Sequence, residues 1–211
     1  MSIAEKLQEQ LQTIADNELK VFAAGEKSEF HRFWDLSQNY GKRNAYIYGF
    51  CGSTWTDETY NPKYPIIVEG YGSQMFTYSA ITSTKVPIII DSANTTYAFN
   101  SCSKLTTIPS IKFTEKAKMA TCFSGSSKIA NITVTEDSVI ANPINFSGCP
   151  LTTESMKSVI RALKDFSGTT SEFKNTVQFS SNCWAALDAE GETSPIGTTW
   201  REYVESLGWN T

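Results

Sequence analysis

The sequence predicts an α+β chain whose middle is a short repeat solenoid of about four coils. An N-terminal amphipathic helix and a C-terminal α/β cap flank it. Three observations carry this expectation. One phrase beginning with phenylalanine recurs four times at an almost constant period. A glycine-free and proline-free opening segment carries apolar residues at helical spacing. The residues after the repeat show helix-start chemistry and a further strand-like run.

The opening segment has no Pro or Gly before Gly25, and Ser2 can cap its first turn. Ile3, Leu7, Leu11, Ile14, Val21 and Phe22 form an apolar stripe with spacings of three and four. A heptad register places Ile3, Gln10, Asn17 and Ala24 at a, and Leu7, Ile14 and Val21 at d. Polar a-positions lower stability but fix register and oligomer state. Two readings stand together: an assembly helix using Ile3, Leu7, Ile14 and Val21, or one amphipathic helix docked on its own domain. Residues 1–43 are therefore assigned as a helical anchoring or assembly segment.

Residues 44–72 read as a β-rich N-terminal cap. Tyr46, Tyr48 and Phe50 alternate as in a half-buried strand, prolines 62 and 65 punctuate a loop, and Ile66-Ile67-Val68 is a short buried strand. Trp55, Tyr60, Tyr64, Tyr71 and Tyr78 gather in and beside this stretch. Their first reading is a plug for the end of the repeat, since a solenoid end must be shielded. Their second is a contact surface, with Trp55, Tyr60 and Tyr64 as the candidate binding residues.

The repeat occupies residues 73–151. Phe76-Thr77-Tyr78-Ser79, Phe99-Asn100-Ser101-Cys102, Phe123-Ser124-Gly125-Ser126 and Phe146-Ser147-Gly148-Cys149 are four versions of one phrase. Their phenylalanines are 23, 24 and 23 residues apart (99−76, 123−99, 146−123). An aliphatic residue follows each: Ile81, Leu105, Ile129 and Leu151. Strand-like runs close the first three units at Val86 to Ile90, Ile111 to Phe113 and Ile132 to Val134. A period of about 20–29 residues marks a leucine-rich repeat, in which each unit buries its apolar face only against its neighbours. Ser79, Cys102, Ser126 and Cys149 take equivalent positions where a small side chain is needed. Cysteine and serine are thus interchangeable there, which speaks against redox or metal roles.

The segment Ala98-Phe99-Asn100-Ser101-Cys102-Ser103-Lys104-Leu105-Thr106-Thr107-Ile108 resembles the core of BspA-like (Treponema-type) leucine-rich repeats. The opening segment, from Ile3 through Phe22 to Arg32-Phe33-Trp34-Asp35, is similar to the start of small repeat proteins encoded among tail and structural genes of phages and prophages of gut Firmicutes. Together the resemblances imply a non-enzymatic virion protein, tail- or baseplate-associated and assembled in the bacterial cytoplasm. Its implied partners are other virion proteins or itself through the helix, and a host surface protein or glycan through the repeat. The alternative is a BspA-like adhesin or interaction module at the bacterial cell surface.

Residues 152–211 read as the C-terminal α/β cap. Thr152 or Thr153 caps a helix with apolar face Met156, Val159, Ile160 and Leu163. Val177-Gln178-Phe179 is a strand, and Trp200 to Leu207 a last helix.

Chemistry is sparse. His31 is the single histidine, so a Ser-His-Asp triad has one possible base and no supporting pattern around it. Asp188-Ala189-Glu190-Gly191-Glu192 reads as an acidic turn, because its glycine and twelfth position do not fit a calcium loop. Five cysteines without a Cys-x-x-Cys fit neither a disulfide framework nor a zinc site. No catalytic residue, cofactor or metal is expected. A net charge of −4 speaks against nucleic-acid binding. No run approaches the ~18 apolar residues of a membrane span, and no secretory leader is recognised at the N-terminus.

Overall fold

The computed structural model describes residues 50–60, 65–70, 72–169 and 175–211, all within the unit Tyr46–Thr211. The expected anchoring helix, residues 1–43, lies outside them. Nine elements follow in order: β1 (Ile66–Val68), β2 (Ile88–Ile90), β3 (Thr107–Phe113), β4 (Asn131–Val134), β5 (Ile144–Phe146), α1 (Thr153–Arg161), β6 (Val177–Phe179), α2 (Ser181–Ala189) and α3 (Trp200–Ser206).

The strands are short and β-branched because each crosses the core only once. Strands β1 to β4 form one parallel sheet in that order, and β5 pairs in parallel with β6 in a second. The register stacks Ile66 on Ile88 and Ile88 on Ile111, with Val68, Ile90 and Phe113 forming the parallel column. Strand β3 carries the irregularity. Its first half pairs with β4 through Thr107–Asn131 and Ile108–Ile132, and its register then shifts before Ile111 meets Val134. Pro109 lies at the shift, where its missing N–H removes no ladder bond.

This architecture corrects the expectation of a four-coil leucine-rich-repeat solenoid. A continuous solenoid would carry one sheet through every repeat, whereas the four-stranded sheet ends at β4 and the fold is a mixed α/β arrangement with three short helices. The physical reason is at the β4 edge. The Ser155 Oγ accepts from the Ile132 N–H at 2.9 Å and the Ser158 Oγ accepts from the Val134 N–H at 3.3 Å. The same hydroxyls donate back to the Ala130 and Ile132 carbonyls, both at 3.1 Å. Helix α1 therefore satisfies the polar edge of β4 with side chains, and no strand is needed beside it. The fourth phrase also differs from the others: Phe146 sits inside strand β5, while Phe76, Phe99 and Phe123 sit in turns.

The repeated phenylalanines still share one column. Phe50, Phe76, Phe99, Phe123, Phe146 and Phe179 stack with successive ring centroids 5.0, 5.1, 5.3, 4.4 and 6.0 Å apart. The planes of Phe76, Phe99 and Phe123 are within 7° and 2° of parallel. Beside it runs a column of small side chains. Cys102 Sγ donates to the Phe76 carbonyl at 2.9 Å, Ser126 Oγ accepts from the Cys102 N–H at 3.0 Å, and Cys149 Sγ donates to the Ser126 carbonyl at 3.4 Å. Cys183 joins from α2, its thiol directed at the Cys149 carbonyl at 3.5 Å.

The C-terminal helices each begin on a hydroxyl cap: Thr152 for α1, Ser180 for α2 and Thr199 for α3, where Glu202 completes a capping box. Gly208 closes α3 at φ +81°, and a Cβ there would stand 3.0 Å from the Phe166 carbonyl carbon.

Phe99 lies mid-column with no exposed surface. Replacing it with alanine is expected to lower the unfolding free energy by about 3–5 kcal/mol in chemical denaturation. A loss below about 1 kcal/mol would show that the column does not support the sheet.

Candidate functional site

The turns that present the phenylalanines also define the most distinctive surface. The first and third turns close locally, with the Ser79 N–H donating to the Phe76 carbonyl at 2.9 Å and the Ser126 N–H to the Phe123 carbonyl at 3.2 Å, whereas the Cys102 N–H of the second donates to Ser126 Oγ. The first turn is also tied to the second, and the second to the third. The Phe76 N–H donates to the Ala98 carbonyl at 2.7 Å, the Tyr78 N–H to the Asn100 carbonyl at 3.1 Å, and the Ser101 N–H to the Ser124 carbonyl at 2.8 Å. These bonds impose a left-handed backbone two residues after each of the first three phenylalanines: φ is 60° at Tyr78, 52° at Ser101 and 72° at Gly125. A second left-handed position lies two residues before the phenylalanine, at Gln74 (60°) and Tyr97 (61°).

Glycine is the easy residue for such a backbone, and a tyrosine there costs about 1 kcal/mol. Both tyrosines nevertheless stand out from the surface, Tyr78 at 62% exposed and Tyr97 at 41%. With Ile196 they are the exposed large apolar side chains among the described residues. The Thr77 Oγ1 donates to the Tyr97 carbonyl at 2.7 Å, which sets the Tyr97 backbone beside the Tyr78 turn. The Asn100 Nδ2 donates to the Ser124 carbonyl at 2.9 Å. Exposed aromatic rings held on a rigid, hydrogen-bonded backbone can serve as a contact surface at little entropic cost.

The residues expected to bind are distributed differently. Trp55 is half-buried, edge-on to Phe50 at 5.1 Å, and its carbonyl accepts from the Ala80 N–H at 2.8 Å. It therefore adjoins the Tyr78 turn. Tyr60 has no exposed surface. Its ring meets Phe50 and Phe76 edge-on, its hydroxyl donates to the Thr84 carbonyl at 2.7 Å, and burial pushes its pKa up. Tyr60 is thus part of the plug that ends the phenylalanine column. Tyr64 lies outside the described residues, as do Ile3, Leu7, Ile14, Val21 and His31. Tyr97 was not singled out by sequence reasoning. The available signal was its place in the phrase, one residue before Ala98-Phe99, where the preceding copy carries Gln74 and Met75.

The cysteines do not form a reactive centre. Burial pushes the Cys102 thiol up to about 11 and the Cys149 thiol to about 12, and it raises Cys122 as well. All four of Cys102, Cys122, Cys149 and Cys183 are buried and free. A thiol held protonated is a poor nucleophile and a poor metal ligand.

The acidic turn has a structural partner. The Lys157 ammonium, buried on α1, contacts Glu154 at 3.1 Å, Glu190 at 2.7 Å and also Glu192. The three carboxylates are close enough to one another to hold a cation, and the ammonium takes that place. Hydrogen bonding from Lys157 first, then Thr153, holds the Glu190 carboxyl below its ordinary value. Bonds to Glu190 and then Glu192 hold the Lys157 ammonium above its own.

Among the described residues no helix is long and apolar enough to cross a membrane. The chain matches no protein-family model, no curated protein and no solved structure.

Two outcomes are expected. The depressed Glu190 value means that its contribution to stability is present above the unfolded-state value of 4.5 and is lost as pH falls through the folded one. The raised Lys157 value keeps its contribution until pH climbs past the unfolded-state value of 10.5 and on through the folded one. Lys157→Met should therefore melt well below the parent near neutral pH, and the gap should close as the carboxylates protonate towards roughly pH 3. A gap of equal size at every pH, read by thermal melts, would reduce the cluster to packing. In the native protein at mildly alkaline pH, iodoacetamide should modify half-buried Cys51 and spare the other four cysteines until denaturant is added. Peptide mass spectrometry reads the difference, and labelling of Cys122 without denaturant would contradict the packing described.

Proposed function

We propose that this protein is a non-enzymatic structural and binding component of a phage or prophage virion, associated with the tail or baseplate. One observation carries the binding half of this reading: the buried aromatics and thiols are committed to packing, while Tyr78 and Tyr97 are held outward on left-handed turns that would be easier for glycine. Backbone strain maintained by surrounding structure collects where a side chain must be presented in a set direction. The Lys157 cluster, the hydroxyl-capped edge of β4 and the stacked rings supply rigidity, which suits a component that must hold a face in place within a particle.

The virion half of the reading is supported by the similarity of the opening segment to small proteins encoded among phage tail and structural genes. In this reading the N-terminal segment, through Ile3, Leu7, Ile14 and Val21, attaches to other virion proteins or to a second copy. The turn face then contacts the host surface.

Particles released from a strain that encodes this chain provide the test. After purification by density gradient, the intact protein is expected in the particle fraction, and antibody against it should decorate the tail or baseplate in negative-stain images. Its absence from purified particles, with the protein found instead on uninduced cells, would overturn the virion assignment. Removal of residues 1–30 should abolish incorporation while leaving the melting temperature of the remaining fold within a few degrees.

A further inference from the structure

We infer that the Tyr78–Tyr97 turn face binds an uncharged polysaccharide, with the two tyrosine rings as stacking platforms on successive levels of the fold. The inference rests on the reading of this face as the binding surface and names its ligand class.

The chemistry of the face selects the ligand. Residues 74–78, 96–101 and 120–125, which make up the three left-handed turns, contain no Asp, Glu, Lys or Arg. A nucleic acid or an anionic lipid surface needs cations there, and these turns supply none. A protein partner of ordinary kind is held by a contiguous apolar centre, and here the other accessible side chains of these turns include the hydroxyls and amides of Gln74, Asn100, Ser101 and Ser124. A neutral sugar presents the complement. Its C–H face covers an aromatic ring, and its equatorial hydroxyls bond to serine, asparagine and tyrosine oxygens at the ring edge.

The two rings sit on adjoining turns: Tyr78 follows its phenylalanine by two residues, Tyr97 precedes its own by two, and the Thr77 Oγ1 bond to the Tyr97 carbonyl at 2.7 Å holds the two backbones together. The backbone shows that Tyr78 is not there for the turn itself. The position of Tyr78 is glycine in the third copy, where a Cβ would stand 2.9 Å from Ser101 Oγ, and serine in the second. Folding is served by a small residue; a large ring serves only the surface.

Affinity electrophoresis of the full chain tests this, in native gels containing dextran, mannan, galactomannan or soluble β-glucan, with hyaluronate and polygalacturonate as anionic counterparts. At least one neutral polymer is expected to retard the protein, and added salt should leave the retardation unchanged. Tyr78→Gly and Tyr97→Gly should each weaken it about tenfold or more, the loss of one ring contact. Both variants should keep the parental melting temperature, because glycine suits the left-handed backbone. Tyr78→Phe should retain most of the binding. Failure of every neutral polymer to retard the protein would overturn the inference, as would undiminished binding by both glycine variants. Retardation by the anionic polymers alone, abolished by salt, would overturn it too. Presence of the protein in purified particles together with any of these failures would reject the polysaccharide and leave the structural role standing.

Discussion

Six phenylalanine rings stacked at intervals of 4.4 to 6.0 Å tie together parts of the chain that share no sheet. The four-stranded sheet ends at β4 and the two-stranded sheet begins at β5, with the isolated parallel bridge Met119–Ile144 reaching across the gap. Phe123 and Phe146 close it, with the shortest centroid separation in the column and planes tilted by 29°. Five of the rings, from Phe76 to Phe179, are buried, so they add apolar stabilisation to the core, and the turn hydrogen bonds fix the spacing at which it is gained.

The left-handed turn positions follow from this constraint. For Phe76, Phe99 and Phe123 to face inwards at equal spacing, the chain must reverse within three residues and leave its amides pointing along the column. The rung-to-rung bonds from Phe76, Tyr78, Phe99 and Ser101 satisfy those amides. The positive φ at Tyr78, Ser101 and Gly125 is the geometric result. At Tyr78 that backbone turns the ring outwards, so the column that builds the core also bears on which residue forms the surface.

Much of this was legible from residue type. The β-branched runs at Ile66–Val68, Ile111–Phe113 and Ile132–Val134 are strands, and Thr152, with Glu154 in the first turn, marks the start of α1. The phrase spacing of 23 and 24 residues reads directly as stacked rings, and the Ser/Cys alternation as a column of small buried side chains. The end of the sheet before the fourth phrase was not legible, and the expected solenoid failed there. Whether a strand or a helix lies beside β4 depends on the hydroxyls of Ser155 and Ser158 reaching its amides. In sequence these look like ordinary polar positions on a helix. The partner of the acidic turn was equally hidden, since Lys157 and Glu190 are far apart in the chain and meet only after α1 and α2 pack. For the site, composition treats Tyr60 and Tyr78 alike. The first is buried against Phe50 and Phe76 and the second is exposed, because the turn backbone, not the side chain, sets the direction.

The rigidity of the face bears on how a weak ligand class could be held at all. A neutral sugar offers no charge to steer or anchor it, so each contact is worth little and any ordering cost on the protein side would cancel it. At Tyr78 and Tyr97 that cost has been met during folding. Their backbones are locked by the Asn100 carbonyl on one side and the Thr77 hydroxyl on the other, leaving only the side-chain torsions to settle. A particle displaying several copies would then multiply modest single-site affinities, since once one copy is engaged the next binds at a high effective concentration. A strained but fixed turn, weak on its own, becomes useful when its geometry is repeated and never has to be rebuilt on contact.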